Sequence, residues 1–163
     1  MDQVLEKFSF YQKKYRLISR AHHLTASHYA RYNSYLGIPV VVLTTIISTA
    51  IFASLENNPD NLYKIAVGMI SLLAAVLSAL QTFLGYSEKT AIYKNAGIQY
   101  SIIKRQFDTL HLKYSSSEST ETEQALEELT TLLDQVDKLA VEMPSVPDKF
   151  YSQAEQEYAD ETQ

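Results

Sequence analysis

Two long stretches of the chain carry no charge, and a short polar segment separates them. No Asp, Glu, Lys or Arg occurs from Tyr32 to Leu55 or from Ile65 to Ser87. A helix of about 20 apolar residues rises roughly 30 Å, the thickness of the hydrocarbon core of a bilayer. The segment between them is rich in Asn, Asp and Pro, which favour turns. The pattern predicts a transmembrane hairpin with spans over residues 36–55 and 65–86 and an external turn over residues 56–64.

A buried hairpin inside a soluble helical bundle is the alternative, because it would also be rich in Leu, Ile and Val. Such a helix normally keeps one polar face, since a small domain has too little interior to enclose a helix on every side. Here no face of either stretch carries a charge. We therefore prefer two membrane spans, with the lipid bilayer as the first expected partner.

A stripe of aromatic and apolar residues precedes the hairpin. Its members alternate in steps of four and three: Val4, Phe8, Tyr11, Tyr15, Ile18, His22, Thr25, Tyr29, Tyr32 and Leu36. This spacing predicts a long cytosolic helix over residues 1–35 that reaches the first span in register. Pro39 has no amide hydrogen to donate to the carbonyl of Tyr35, so the helix is expected to kink or to break there. We prefer a kink, with Gly37 and Pro39 as the hinge.

An aromatic residue recurs at every seventh position after the second span. This aromatic seam comprises Tyr86, Tyr93, Tyr100, Phe107 and Tyr114. The period predicts a cytosolic helix over residues 87–114, continuous with the second span and suited to pack against the first stripe as in a coiled coil. A cofactor-binding aromatic box is the alternative, but the sequence offers it no convergent polar groups.

Two further helices are expected at the carboxyl end, over residues 120–143 and 148–160. Thr120 and Glu123 have the spacing of a capping box. The apolar stripe of the first of these helices is predicted to be Thr122, Leu126, Leu129, Leu133, Val136, Ala140 and Met143. Pro144 and Pro147 separate it from the second. The expected fold class is therefore all-α, with residues 1–163 forming one domain.

Charge is distributed unevenly along the chain, although the mean hydropathy of −0.15 resembles that of an ordinary soluble protein. Residues 1–35 carry six Lys or Arg against two acids, and residues 86–114 carry five against two. Residues 115–163 carry two against thirteen. The positive-inside rule then places both termini in the cytoplasm of a multi-pass protein of the inner or plasma membrane. The acidic region either lies beside the basic helices or is simply solvated.

Hydroxyl groups gather on one face of the first span. Thr45, Ser48, Thr49 and Phe52 lie three and four residues apart, which puts them on the same side of a helix. They are the candidate lining of a pore with an aromatic constriction. Alternatively, the hydroxyl groups bond to carbonyls of their own helix or join neighbouring helices.

The second span carries a row of small residues, Ser71, Ala75 and Ala79. Small side chains at intervals of four allow helices to approach closely in lipid, so the two spans or two subunits are expected to meet here. Gln81 is the one amide deep in either span, and we expect it to face protein or a water-filled cavity.

The sequence offers no chemistry that would make the chain an enzyme. There is no cysteine, no phosphate-binding loop and no recognisable nucleophile with its base. His22, His23 and His28 lack the spacing of four that a helical metal site requires. We expect no cofactor, no metal and no nucleic-acid partner.

Several segments resemble the SLATT domain. The resemblance rests on Tyr32-Asn33-Ser34-Tyr35-Leu36-Gly37-Ile38-Pro39, on the run from Ser87 to Tyr100 after the second span, and on Met143-Pro144-Ser145-Val146-Pro147 with its short final helix. SLATT domains are two-transmembrane effectors associated with SMODS nucleotide synthases and SLOG sensors in prokaryotic conflict systems. The resemblance implies a membrane effector of antiviral defence, pore-forming or ion-conducting, with a sensor or a nucleotide-signal protein as a partner.

Two functions are compatible with these features. The first is a homo-oligomeric, pore-forming membrane effector, because two spans cannot enclose a water path alone. The alternative is a non-conducting membrane anchor or scaffold whose cytosolic helices recruit a partner.

Overall fold

The protein is entirely helical in the part of the chain that the computed structural model describes, residues 2–56, 60–115 and 122–161, with the side chains of residues 53–56 left out. The helices are α1 (Asp2–Glu56), α2 (Asn61–Leu84), α3 (Tyr86–Ser115), α4 (Thr122–Glu142) and α5 (Asp148–Glu161). The all-α class predicted from the sequence is confirmed. Two helices are long and apolar enough to cross a membrane.

Helix α1 continues through Pro39, so the complete break that the sequence allowed does not occur. A proline inside a helix removes one backbone hydrogen bond and need not end the helix when neighbouring groups support it. Gly37 is also helical. Whether these residues act as a hinge stays a prediction.

The connection between the two apolar helices is shorter than the predicted turn over residues 56–64. Glu56 still belongs to α1, and α2 begins at Asn61. The amide of Lys64 donates to the carbonyl of Asp60 over 3.2 Å, so the residues expected at the end of the turn form the first turn of α2 instead. Residues 57–59 lie outside the described part of the chain.

Gly85 interrupts the continuity that we expected between the second span and the following helix. It follows Leu84 with φ +59° and ψ 31°, in the left-handed region. Glycine reaches this conformation at little cost and is the usual residue just after a helix end. Helix α3 begins at once, and the amide of Lys89 donates to the Gly85 carbonyl over 3.0 Å. The apolar helix therefore ends at Leu84, two residues before the predicted limit.

The chain divides into two compact units. The first, the bundle unit, comprises Met1–Ser27 and Thr90–Gln163; the second, the hairpin unit, comprises His28–Lys89. The core of the bundle unit is formed by buried residues of α1, α3 and α4: Val4, Phe8, Tyr15, Tyr100, Ile103, Phe107, Tyr114, Ala125, Leu129, Leu132 and Val136.

Helix α4 buries a slightly different face from the predicted one. Ala125 and Leu132 lie in the core, whereas Leu126 is 43% exposed and Ala140 is exposed. Two overlapping stripes with helical spacing run along α4, and they differ by one residue at alternate positions. The core uses the stripe that contains Ala125 and Leu132 in place of Leu126 and Leu133. The helix begins at Thr122 in the described chain, and Thr120 of the predicted capping box lies outside it.

Candidate functional site: the apolar hairpin

The hairpin unit exposes large apolar side chains on most of its outer surface. They include Ile38, Val41, Val42, Ile46, Ile51 and Phe52 on α1 and Leu62, Ile65, Met69, Leu72, Leu73, Val76, Leu80 and Phe83 on α2. In the most apolar 18-residue stretch of each candidate span, 0% and 6% of the residues are buried. A core helix of a soluble protein would be mostly buried, so the described surface does not fit that alternative.

The two helices contact each other along one face each. On α1 the partly buried positions are Leu36, Gly37, Val40, Leu43, Ile47 and Ala50; on α2 they are Val67, Ile70, Ser71, Leu77, Gln81 and Leu84, together with the buried Ala74. At one end of this contact the Tyr63 hydroxyl donates to the Ala50 carbonyl over 2.9 Å. At the other end Gln81 lies against Asn33. Low residue numbers on one helix thus meet high numbers on the other, so the pair is antiparallel.

Gln81 faces protein, as predicted for a lone amide in an apolar span. Its Nε2 atom donates to the Asn33 side-chain oxygen over 3.5 Å, a long hydrogen bond. A Cβ atom built on Gly37 would lie 3.1 Å from the same Nε2 atom. Gly37 therefore makes room for the amide between the helices, a role separate from the predicted hinge. The sequence analysis singled out Gly37 and Gln81 separately. Their contact depends on how the two helices pair, which the sequence does not show.

The predicted pore-lining residues lie on the side of α1 that faces away from α2. Thr45, Ser48, Thr49 and Phe52 are all exposed, and Phe52 is 71% exposed. At 100° per residue, the centre of this hydroxyl face lies about 160° around the helix from the face that contacts α2. No residue of the described hairpin covers it.

Each hydroxyl group on that face is already bonded within α1. Thr45 donates to the Val41 carbonyl over 2.8 Å, Ser48 to Thr44 over 2.8 Å, and Thr49 to Thr45 over 3.0 Å. These bonds satisfy the hydroxyl donors in a single chain. Each oxygen retains lone-pair capacity for a water or ion, since a hydroxyl group has two acceptor sites.

The small-residue row of α2 lies at the edge of the hairpin contact and continues outward. Ser71 is partly buried and donates to the Val67 carbonyl over 2.8 Å, whereas Ala75 and Ala79 are exposed. Ala74 is the small residue buried between the two helices, at 4% exposure. Ala74 therefore lies in the contact between the two helices, and Ala75 and Ala79 of the predicted row stay exposed.

An aromatic cluster occupies the end of the hairpin unit at which Tyr86 lies. Tyr86 contacts Tyr29 and Tyr32, with ring centroids 6.0 and 5.6 Å apart. The Lys89 ammonium lies 5.7 Å from the ring centroids of both Tyr29 and Tyr86. Tyrosine rings beside a lysine are typical of the interface between lipid and water.

The remaining members of the aromatic seam lie in the bundle unit and face the stripe of α1. Tyr100 stacks on Tyr15 at 6.1 Å with an interplanar angle of 6°, and Phe107 lies 6.5 Å from Phe8. Tyr93 is 5.9 Å from His22. Tyr114, which is fully buried, stacks on Phe8 at 6.3 Å. The partners of Tyr93, Tyr100 and Phe107 therefore recur every seven residues on α1, and Tyr114 shares Phe8 with Phe107.

Burial keeps His22 and Tyr15, on the α1 stripe that faces the seam, neutral. His22 is 2% exposed, and desolvation, followed by the nearby His23, lowers its pKa to about 4. Desolvation is also the main reason why the pKa of Tyr15 rises to about 12. Neutral rings can stack in an apolar interior without the cost of burying a charge.

No group of three or more His, Cys, Asp or Glu side chains in the described chain is arranged to hold a metal ion. His23 instead packs against α3, where a Cβ atom on Gly97 would lie 2.9 Å from its Nε2 atom. Beside it, Ser19 donates to the Gly97 carbonyl over 2.8 Å. The close approach of α1 to α3 at Gly97 was missed in the sequence, although a glycine within a helical heptad pattern could have indicated it.

Acidic residues of α4 and α5 pair with basic residues of α1 and α3 within the bundle unit. Lys113 contacts Glu128 at 2.7 Å, Arg20 contacts Glu157 at 2.6 Å, and Arg16 contacts Glu161. The acidic region therefore lies beside the basic helices, one of the two arrangements that the sequence allowed.

No family model, no characterised protein and no solved structure matches this chain.

Proposed function

We propose that the hairpin unit crosses a membrane as two spans and that several copies assemble around an axis to form an ion-conducting pore. The observation that carries this proposal is the hydroxyl face of α1. It is polar, it is uncovered, and it lies on the opposite side of the helix from α2. A single hairpin in lipid would turn these hydroxyl groups towards hydrocarbon, whereas a ring of copies would turn them towards water.

The contact faces suggest how such a ring would be arranged. If α1 turns its hydroxyl face to the axis, α2 lies on the outside, since the two directions differ by about 160°. Ala75 then faces sideways, where a small residue allows a neighbouring subunit to approach closely, and Ala79 faces the outside of the ring. Thr45, Ser48 and Thr49 would line the path, and Phe52 would form its narrowest ring.

The resemblance to SLATT domains supports a role for this pore as an effector of prokaryotic antiviral defence. In that role, a sensor or a nucleotide-signal protein would trigger opening, and ion flux would depolarise the cell. The Lys and Arg residues that flank the spans support a multi-pass arrangement in the inner or plasma membrane with both termini in the cytoplasm. The proposed activity is conduction of ions, and we propose no enzymatic step.

Ion flux in liposomes tests the proposal. The protein is reconstituted with and without Thr45→Leu/Ser48→Leu, and flux of K⁺ is followed over a range of applied voltages. We expect the double variant to lose most of the flux, because leucine removes two hydroxyl groups from the path and favours its dewetting.

Thr82→Leu is the matched control, since Thr82 is also exposed and also bonds to its own helix, through the Ser78 carbonyl at 3.1 Å. It lies on α2, away from the proposed axis, so flux should be retained. Flux retained in Thr45→Leu/Ser48→Leu, or lost equally in this variant and in Thr82→Leu, would refute the proposed lining.

A membrane anchor or scaffold is the second candidate. The observation in its favour is that the hydroxyl donors of α1 are satisfied by carbonyls within the same helix. In this case Thr45→Leu/Ser48→Leu would leave function intact, while charge changes on the bundle unit would abolish recruitment of the partner. The same pair of variants therefore separates the two functions.

A further inference from the structure

A cavity of about 590 Å³ opens between α1, α3 and α5 in the bundle unit. Its charged lining includes Arg16 and Arg20 from α1, Lys104 from α3, and Glu157 and Glu161 from α5. Cavities of roughly 300–1,000 Å³ are the usual size of small-molecule sites. Neither the hairpin nor the aromatic seam includes any of these five residues.

Arg16 and Arg20 are one helical turn apart, so both guanidinium groups project from the same side of α1. Lys104 contributes a third cation to the same cavity, and its ammonium contacts Asp108 at 2.7 Å. Arginine binds phosphate oxygens with two parallel hydrogen bonds, and a lysine adds a point charge. The cations are therefore suited to an anion with more than one phosphate group.

Two carboxylates of α5 form ion pairs with these arginines in this structure. The Nε atom of Arg20 donates to Glu157 over 2.6 Å, and Arg16 contacts Glu161. The hydrogen bond from Arg20 is the main cause that lowers the pKa of Glu157, so this side chain is an anion at neutral pH. A carboxylate and a phosphate present similar oxygens to a guanidinium group, so α5 holds the positions that a phosphate ligand would take.

The carboxylates are held in a way that permits exchange. The side chains of Arg16, Arg20 and Glu161 are 49%, 55% and 61% exposed, and exposed ion pairs contribute little to stability. The buried residues of α5 are Phe150 and Ala154, in its first half. The last two turns are attached through polar contacts and through Tyr158, whose ring lies 4.9 Å from the Lys13 ammonium and 5.1 Å from the Arg16 guanidinium.

We propose that this cavity binds a ligand carrying two or more phosphate groups, and that Arg16 and Arg20 hold it after displacing the carboxylates of Glu157 and Glu161. The end of α5 would then move away from α1 when the ligand binds. The site lies wholly within the bundle unit and does not require the hairpin to conduct ions. Its failure would therefore leave the proposed pore untouched.

Binding of pyrophosphate to the full-length protein in detergent tests the proposal by calorimetry. Glu157→Gln/Glu161→Gln removes the competing anions and should tighten binding by about tenfold, the effect of releasing two weak ion pairs. Arg16→Gln/Arg20→Gln should abolish binding. Both double variants break the same contacts between α1 and α5. Opposite changes in pyrophosphate affinity would therefore separate ligand binding from a loss of docking of α5.

Lys113→Gln/Glu128→Gln is the matched control, since it removes another exposed ion pair of the bundle unit and should leave the affinity unchanged. Near-ultraviolet circular dichroism of the tyrosines confirms folding of each variant. Binding of pyrophosphate in nanodiscs distinguishes the source of the phosphate. Displacement by phosphatidylglycerol, and not by phosphatidylcholine, would identify a lipid headgroup as the ligand. Lack of displacement would identify a soluble ligand. If the double variant Glu157→Gln/Glu161→Gln binds no more tightly than the unmodified chain, the site is refuted and the pairs only dock α5.

Discussion

Gly37 and Gln81 face each other across the hairpin, where a Cβ atom at position 37 would come within 3.1 Å of the Gln81 amide nitrogen. The absence of a side chain on Gly37 lets the amide lie between the helices and reach Asn33. The amide is thereby kept away from the apolar outer surface, where an unpaired polar group would be costly in lipid.

Gly37→Leu should separate the helices at this point. Because a leucine would overlap Gln81, we expect a loss of roughly 1–3 kcal/mol in the stability of the hairpin, the usual cost of overpacking. Gly68→Leu is the control, since nothing lies within 4 Å of a Cβ atom there. Thermal melting in detergent, followed by circular dichroism, measures both. Equal melting temperatures would show that the close approach at Gly37 does not matter.

Phe107→Ala should unfold the bundle unit under mild conditions. Phe107 is fully buried and contacts Phe8, Tyr11 and Tyr15, so truncation leaves a cavity in the seam and should cost about 3–5 kcal/mol. Leu112→Ala on the same helix is the control, because Leu112 is 70% exposed. Urea titration gives both free energies of unfolding. A loss at Phe107 no larger than that at Leu112 would contradict the assigned core.

The stability of the bundle unit should fall as the pH is lowered from about 6.5 to about 4. His22 has a pKa of about 4 in the folded chain against an ordinary value of 6.5, so in this range the unfolded state binds more protons. The loss is on the order of 3 kcal/mol at most. The lowered pKa of His23 acts in the same direction.

His22→Gln should remove much of this pH dependence, because glutamine does not titrate. His28→Gln, in the hairpin unit, is the control and should leave it in place. Urea unfolding at pH 7, 5.5 and 4.5 measures how the free energy of unfolding changes with pH. If this free energy changes with pH equally in His22→Gln and in the unmodified chain, His22 is excluded as the source of the pH dependence.

Gly85→Ala should destabilise the junction between α2 and α3. Alanine must adopt the left-handed conformation that Gly85 has, which costs roughly 1–2 kcal/mol. Gly68→Ala, in the interior of α2, should instead have no cost or a small gain, since alanine favours helix. Hydrogen exchange at residues 81–89 reports the effect locally. Unchanged exchange in Gly85→Ala would mean that the junction is not held in this conformation.

The helices and the seam were predictable because they depend on periodicity. The uncharged runs located α2 and the second half of α1, and the heptads identified Phe8, Tyr15, Tyr100 and Phe107 as contacting rings. The features that the sequence missed depend on how helices meet. Gly85 could have been assigned as a helix end, since glycine is the usual residue just after one. Gly37 with Gln81, and Arg20 with Glu157, are far apart in sequence, and no local pattern pairs them.

The buried face of α4 shows a second limit. Its apolar arc contains both Ala125 and Leu126, and periodicity alone cannot choose between adjacent edges of one arc. Hydrophobicity favours leucine, yet the core takes the alanine. The choice is made by the space that α1 and α3 leave, which is a property of the folded bundle.

The mass of the particle extracted from membranes tests the central claim most directly. An assembly that gathers hydroxyl faces around an axis requires several 18.5 kDa chains, so native mass spectrometry in mild detergent should detect a defined multiple of that mass. Ala75→Leu/Ala79→Leu should reduce this multiple if the small-residue row joins the subunits. A particle that contains one chain, released from membranes by the mild detergent and stable as a monomer, would contradict the account.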